Sequence, residues 1–224
     1  VAKAKLIDIT KCSGCRSCQV ACKQWNGLPA EVEAFTGSYQ THADLLGNTF
    51  TIVKFLERIS PGPSPNQGKL EWLFRKHGCF HCQGTADCVA VCSKGALYYT
   101  DQGTVWRDYA KCAACGKCIR ACPYGIIKWQ AQPGGGKDKP SQCKFCYDRV
   151  SNALSTACAK ACTTGAISFG ERVDMLAAGN ARVLELQGLG YTAANLYGDA
   201  ENGGGLVLLV LPYAPADFGL PSNP

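Results

Sequence analysis

Apolar residues in this chain come in short runs whose period changes from place to place. Lys5 to Ile9 reads as a short strand. Thr49-Phe-Thr-Ile-Val-Lys-Phe-Leu-Glu-Arg-Ile59 alternates as a strand does, and Leu70-Glu-Trp-Leu-Phe-Arg75 reads as its partner. Between them lies Pro61-Gly-Pro-Ser-Pro-Asn-Gln-Gly68, rich in turn formers, so a hairpin is expected. Thr104-Val-Trp-Arg-Asp108 gives one more short strand. From Glu171 to Gln187 the apolar positions Val173, Leu176, Ala177, Val183, Leu184 and Leu186 suit a helix, stopped by Gly188 and Gly190. The glycines 203–205 then lead into Leu206–Leu211, an apolar run closed by Pro212 that reads as a buried strand. It is far short of the roughly 20 residues a membrane-spanning helix needs, so no membrane span of its own is expected. The tail to Pro224 is irregular. Short strands mixed with short helices make this an α+β chain.

What interrupts these runs is cysteine. The chain has 224 residues and 16 cysteines, and the cysteines fall into four groups of four with none left over. Within a group they stand two or three residues apart, too close to pair as disulfides without strain, so a disulfide-stapled protein is the weakest reading. Cys112-Ala-Ala-Cys115-Gly-Lys-Cys118-Ile-Arg-Ala-Cys122-Pro123 is the C-x2-C-x2-C-x3-C-P run that holds [4Fe–4S] clusters in bacterial ferredoxins. Two-residue gaps let one tight loop bring three thiolates to a single cluster. The fourth cysteine, on the helix that follows, ligates a second cluster in two-cluster ferredoxins. Cys12, Cys15, Cys18 and Cys22 repeat that spacing without change. In the group Cys79, Cys82, Cys88 and Cys92 the middle gap grows to five residues, and in Cys143, Cys146, Cys158 and Cys162 to eleven. Four [4Fe–4S] clusters are the expected cofactors.

A repeat lies beneath these quartets. Cys92-Ser-Lys-Gly-Ala-Leu-Tyr-Tyr99, Cys122-Pro-Tyr-Gly-Ile-Ile-Lys-Trp129 and Cys162-Thr-Thr-Gly-Ala-Ile-Ser-Phe169 share one form. A glycine turns the chain off the cysteine helix, and an apolar pair starts a strand over the cluster. Only the first quartet lacks this ending. The repeating unit is the ferredoxin unit of strand, cysteine loop, short helix and strand.

Swapped fourth cysteines require the quartets to combine in pairs. Nested pairing joins one with four and two with three. One cluster (A) then takes Cys12, Cys15, Cys18 and Cys162, and its neighbour (B) takes Cys22, Cys143, Cys146 and Cys158. The inner pair uses Cys79, Cys82, Cys88 and Cys122 (C), and Cys92, Cys112, Cys115 and Cys118 (D). The short link between quartets two and three favours nesting, and spacing alone leaves consecutive pairing open. On the nested scheme the outer ferredoxin-like domain is 1–75 with 138–170, carrying the hairpin as an insert. The inner one is 76–137, and 171–224 is a C-terminal helix-and-strand extension that clasps a partner subunit. Clusters packed in so small a body would form a wire.

Charge changes meaning once clusters are counted. The formal charge is +6, which by itself suggests a nucleic-acid partner. Each oxidised [4Fe–4S] core with four thiolates carries about −2, so four bring the loaded chain to roughly −2. Nucleic-acid binding is therefore not expected, and the Lys and Arg residues among the cysteines offset cluster charge. Of the three histidines, His42, His77 and His81, the last lies between Cys79 and Cys82. With all ligand positions filled, it is expected to hydrogen-bond near a cluster instead of ligating iron. Trp25, Trp106 and Trp129 read as packing residues. The chain has no G-x-G-x-x-G, P-loop, G-x-S-x-G or H-E-x-x-H, so no catalytic residues are expected in it. The N-terminus shows neither an apolar leader core nor paired arginines.

The four quartets resemble the iron–sulfur subunit of molybdenum/tungsten-pterin oxidoreductases of the dimethyl sulfoxide reductase superfamily, over nearly the whole chain. Ala4-Lys-Leu-Ile-Asp8, Cys18-Gln-Val-Ala-Cys-Lys-Gln-Trp-Asn26, Gly68-Lys-Leu-Glu-Trp-Leu-Phe-Arg75, Cys143-Lys-Phe-Cys-Tyr-Asp-Arg-Val150 and Gly190-Tyr-Thr-Ala-Ala-Asn-Leu-Tyr197 look like the beta subunit of formate dehydrogenases. The resemblance implies nested pairing, two ferredoxin-like domains and a large partner subunit that oxidises formate on a tungsten or molybdenum bis-pterin centre. It also implies a downstream redox partner such as a cytochrome. Departures are the five-residue gap in the second quartet, and Ser93 and Thr163 where proline often follows the fourth cysteine. Membrane-bound relatives continue beyond this tail into an anchoring helix, so this chain resembles the soluble type or one lacking its anchor. Export beside a partner carrying the signal makes the periplasm the expected compartment, with the cytoplasm as the alternative. The rival functions are the same module serving a nitrate, polysulfide or sulfoxide reductase, and a free-standing polyferredoxin.

Overall fold

A four-stranded sheet that includes the N-terminal strand anchors the largest apolar clusters. The structure is a computed structural model, and it describes residues 2–224 apart from 31–33, 35, 36, 38–42, 85, 133 and 223. His42 thus lies outside the described residues. In chain order come strand β1 (Lys3–Asp8), helix α1 (Ser17–Trp25), strands β2 (Thr51–Ile59) and β3 (Leu70–Gly78), helix α2 (Asp87–Ala90), and strands β4 (Leu97–Tyr99) and β5 (Val105–Arg107). Then follow helix α3 (Lys117–Ala121), strands β6 (Lys128–Gln130) and β7 (Lys139–Ser141), and helices α4 (Tyr147–Val150) and α5 (Ala157–Lys160). Strand β8 (Ile167–Glu171), helix α6 (Arg172–Gly188), and strands β9 (Asn195–Tyr197) and β10 (Val207–Leu211) complete the set. The main sheet has the order β8-β1-β10-β9; β2-β3, β4-β5 and β6-β7 are separate two-stranded ribbons.

The stretch 171–224, expected as a helix-and-strand extension, contributes two strands and the long helix to this sheet. β10 runs parallel to β1, with Lys5 opposite Val207 and Asp8 opposite Val210, and all five of its residues are buried. The reason is in its composition: Val-Leu-Leu-Val-Leu is apolar on both faces, so it is stable only as an inner strand covered on both sides. Each fully buried Val or Leu contributes roughly 1.5–3 kcal/mol. One face of the sheet, with Leu6, Leu208 and Val210, meets Leu186 and the Met175, Leu176 and Val183 side of α6. The close approach depends on Gly179, where a Cβ would stand 2.8 Å from Leu196 Cδ1 and 3.0 Å from Leu6 Cδ1. Arg182 Nε donates to Asp8 Oδ2 at 2.9 Å and pins the helix to the end of β1. The other face, with Ile7, Val207, Leu209 and Leu211, packs with Phe80, Phe145, Cys158 and Tyr197. That face looks toward the cysteines.

The expected hairpin forms, with β2 and β3 paired from Thr51–Gly78 to Ile59–Leu70. β3 passes residue 75, the expected domain boundary, and ends at Gly78, delivering the chain directly to Cys79. Elsewhere the order of pairing is telling. β1, before the first quartet, is antiparallel to β8, after the fourth. β4, after the second quartet, pairs with β5, before the third. The quartet helices α1 and α5 pack on each other, as do α2 and α3.

Candidate metal centres

The first C-x-x-C loop of each quartet is made by the same local device. Its second spacer residue takes a left-handed conformation: Gly14 (φ +70°), His81 (+50°), Ala114 (+51°) and Phe145 (+54°). The turn points backbone N–H groups inward at sulfur. His81 N donates to Cys79 Sγ at 3.4 Å and Phe145 N to Cys143 Sγ at 3.3 Å. After the fourth cysteine of quartets two, three and four, Gly95, Gly125 and Gly165 donate back to the carbonyls of Cys92, Cys122 and Cys162. This is the turn expected from the repeat. In the first quartet, without the glycine, α1 simply runs on to Trp25.

The loops bring cysteines from distant quartets together. A cavity is lined by Cys22, Cys143, Cys146 and Cys158, with Lys5 and Lys76 in its wall. A second is lined by Cys79, Cys82, Cys88 and Cys122. The third is lined by Cys92, Cys112, Cys115 and Cys118. The remaining four also meet: the Cys12 thiol feels Cys162 and Cys15, and Cys18 feels Cys12 and Cys162. Cys15 Sγ lies 3.5 Å from Thr163 Oγ1, next to Cys162.

The donors fit a cluster better than a lone ion. Among the described residues no three Cys, His, Asp or Glu side chains converge on one ion site, as a single zinc with sulfurs about 2.3 Å away would need. A cubane spreads its thiolates to separate corners. Burial pushes the thiols of Cys18 and Cys88 up to about 11 and about 12, so without metal they are neutral, and metal binding must release their protons. Exposed Cys15 is the opposite case: hydrogen bonds with the Ser17 and Thr163 hydroxyls bring it down to about 7.

Polar groups around the cysteines complete the sites. Arg107, 6% exposed, directs Nη1 to Cys112 Sγ at 3.8 Å and Nη2 to Cys118 Sγ at 3.5 Å. Gln142 Oε1 holds the guanidinium by accepting from Nε at 3.3 Å and Nη2 at 3.0 Å. Lys5 sits at the other end of attention, fully inside β1. Its only sequence signal is a lone charge in Ala4-Lys5-Leu6-Ile7. His81 accepts the Val105 N–H on Nδ1 at 3.2 Å, which leaves the proton on Nε2, and burial holds the ring neutral by lowering its pKa well below the usual value. The ring stands edge-on to Phe145 at 4.9 Å.

Residues 70–172 match the model of the 4Fe-4S dicluster domain family. Over 99% of this chain and 73% of the relative, the sequence is 39% identical to the iron-sulfur subunit of the nitrate-inducible formate dehydrogenase of Escherichia coli K12. The chain belongs to the iron–sulfur subunits of formate dehydrogenases. Two further members are formate dehydrogenase subunit beta of Megalodesulfovibrio gigas and formate dehydrogenase 2 subunit beta (cytochrome c-553) of Nitratidesulfovibrio vulgaris. The first is 32% identical over 84% of this chain and 85% of its own, the second 36% over 82% and 83%. As in this family, the chain carries electrons on [4Fe–4S] clusters. No helix among the described residues is long and apolar enough to cross a membrane.

Proposed function

We propose that the sixteen cysteines hold four [4Fe–4S] clusters in the nested scheme, and that the chain passes electrons between a formate-oxidising pterin subunit and a redox protein. Each bound cluster supplies one-electron storage. The observation that carries the ligand sets is the lining of the three four-cysteine cavities, each drawn from two quartets. Pairing of β1 with β8 and of β4 with β5 supports the two nested ferredoxin-like domains.

The stations follow an order. Cys18 of set A feels Cys158 of set B, Cys79 of set C feels Cys143 of set B, and Cys88 of set C feels Cys118 of set D. The route therefore reads A–B–C–D, with exposed Cys15 and Cys115 at its two ends. Exposed ends suit exchange with partners. The names of the relatives support formate as the electron source, and one of them supports a cytochrome as acceptor.

Anaerobic purification from the native source, with metal analysis and identification of co-eluting chains, tests this reading. About sixteen irons per copy, tungsten or molybdenum, and a large partner that turns over formate are expected. The same iron on a lone chain without pterin metal would leave a free polyferredoxin instead.

A further inference from the structure

Set B differs from sets C and D in the charge of its wall. Lys5 and Lys76 line the cavity of Cys22, Cys143, Cys146 and Cys158, and they are only 1% and 7% exposed. The period of β1 puts Lys5 on the face it shares with Ile7, toward the cysteines. All four thiols of the set act on its ammonium, which lies 4.5 Å from the centre of the Phe145 ring. Lys76, on β3, acts on Cys22 and Cys158, and also on Cys18 of set A. Among the described residues neither lysine has a carboxylate partner in an ion pair. A buried, unpaired ammonium costs several kcal/mol, so the counter-charge must come from the cavity itself.

The other walls are different. The set C wall carries the acidic Asp87. Set D has one buried cation, Arg107, while Lys94 and Lys117 stand in solvent, where water and salt screen them. Two buried positive charges beside a unit of about −2 favour the added electron most strongly where the dielectric is low.

We propose that Lys5 and Lys76 make the cluster of Cys22, Cys143, Cys146 and Cys158 the most easily reduced of the four, the station at which an electron entering the chain comes to rest. The proposal rests on the ligand sets given under Proposed function.

The test is a redox titration of the anaerobically purified complex, followed by electron paramagnetic resonance, in wild type and in Lys5→Met, Lys5→Arg and Lys76→Met. In both Met variants the signal with the highest midpoint should lose at least tenfold in its reduction equilibrium, about 59 mV for one electron, and should move more than any other. It should be the same signal that Cys22→Ser alters. Lys5→Arg, which keeps the charge, should titrate as wild type, as should Lys111→Met at a solvated lysine. An unmoved highest signal, or a larger shift on a different one, overturns the proposal. Should Lys5→Met lose iron, Lys76→Met and Lys5→Arg decide by the same criteria. A wild-type iron count well under about sixteen would instead sink the four-cluster reading, so the two failures are told apart.

Discussion

The sheet around β1 and the ribbons of residues 76–137 support the same cysteine loops on very different amounts of protein. On one side stand a four-stranded sheet, a strand buried along its whole length and a helix of 17 residues. On the other, β4, β5 and β6 have three residues each. The buried set there is Ala86, Leu97, Val105, Cys118 and Ile127, with Cys82, Cys88, Cys92 and Cys122 packed against it. In the first region thiols sit beside a core, and in the second they form much of it. So small an apolar body cannot offset its own chain entropy, and its stability must come from what the thiols bind.

Iron removal would break that comparison most directly. After anaerobic chelation, amide hydrogen exchange at 97–99, 105–107 and 128–130 should approach unprotected rates, while 207–211 stays protected by orders of magnitude. Simultaneous loss in both regions would mean that the sheet, too, depends on metal. Next in size is Leu208→Ala, at a position with no exposure. A denaturant melt should show a loss of about 2–5 kcal/mol, in loaded and stripped protein alike. Arg107→Gln should act only on the loaded inner region. It removes charge-assisted hydrogen bonds to two sulfurs, about 1.5–3 kcal/mol, and should speed iron loss during chelator challenge without changing exchange at 207–211.

The smallest effect concerns the seam. Asp44 ties β6 to the hairpin: Lys128 Nζ donates to its carboxylate at 2.8 Å and Lys54 stands 3.8 Å away. Burial raises its pKa, but Lys128, the Leu45 N–H and Lys54 outweigh it and hold the carboxyl below the usual range. The unfolded chain therefore takes up the proton first, so the pair stabilises the protein above the ordinary carboxylate pKa. That contribution fades as pH falls through the lower folded value. Asp44→Asn should cost less than about 1 kcal/mol at neutral pH, given the exposure of the pair. The difference from wild type should vanish in melts run in strong acid. A constant difference across pH would assign the effect to packing.

What could be read from the sequence was local. The hairpin, the helix after residue 171, the glycine turns and the grouping of cysteines all follow from neighbours a few positions apart. The left-handed spacer was visible at Gly14, where glycine advertises it, and hidden at His81, Ala114 and Phe145, which take that conformation because the loop imposes it. Long-range pairing was out of reach. Val207–Leu211 was legible as a buried strand, but nothing in its residues says that it lies beside β1. For the same reason the burial of Lys5 could not be read from its neighbours: only the sheet puts it inside.

The parallel pairing of β1 with β10 also sets a timetable. Residues 3–8 leave the ribosome ahead of the rest of the sheet, yet they have no strand neighbours until 167–171 and then 207–211 have been made. β4–β5 needs only a short turn to close, and loops this short close early, whereas distant pairings wait. The half of the molecule with little core of its own can therefore take up metal while the chain is still growing. The half that could stand unaided is the last to take shape.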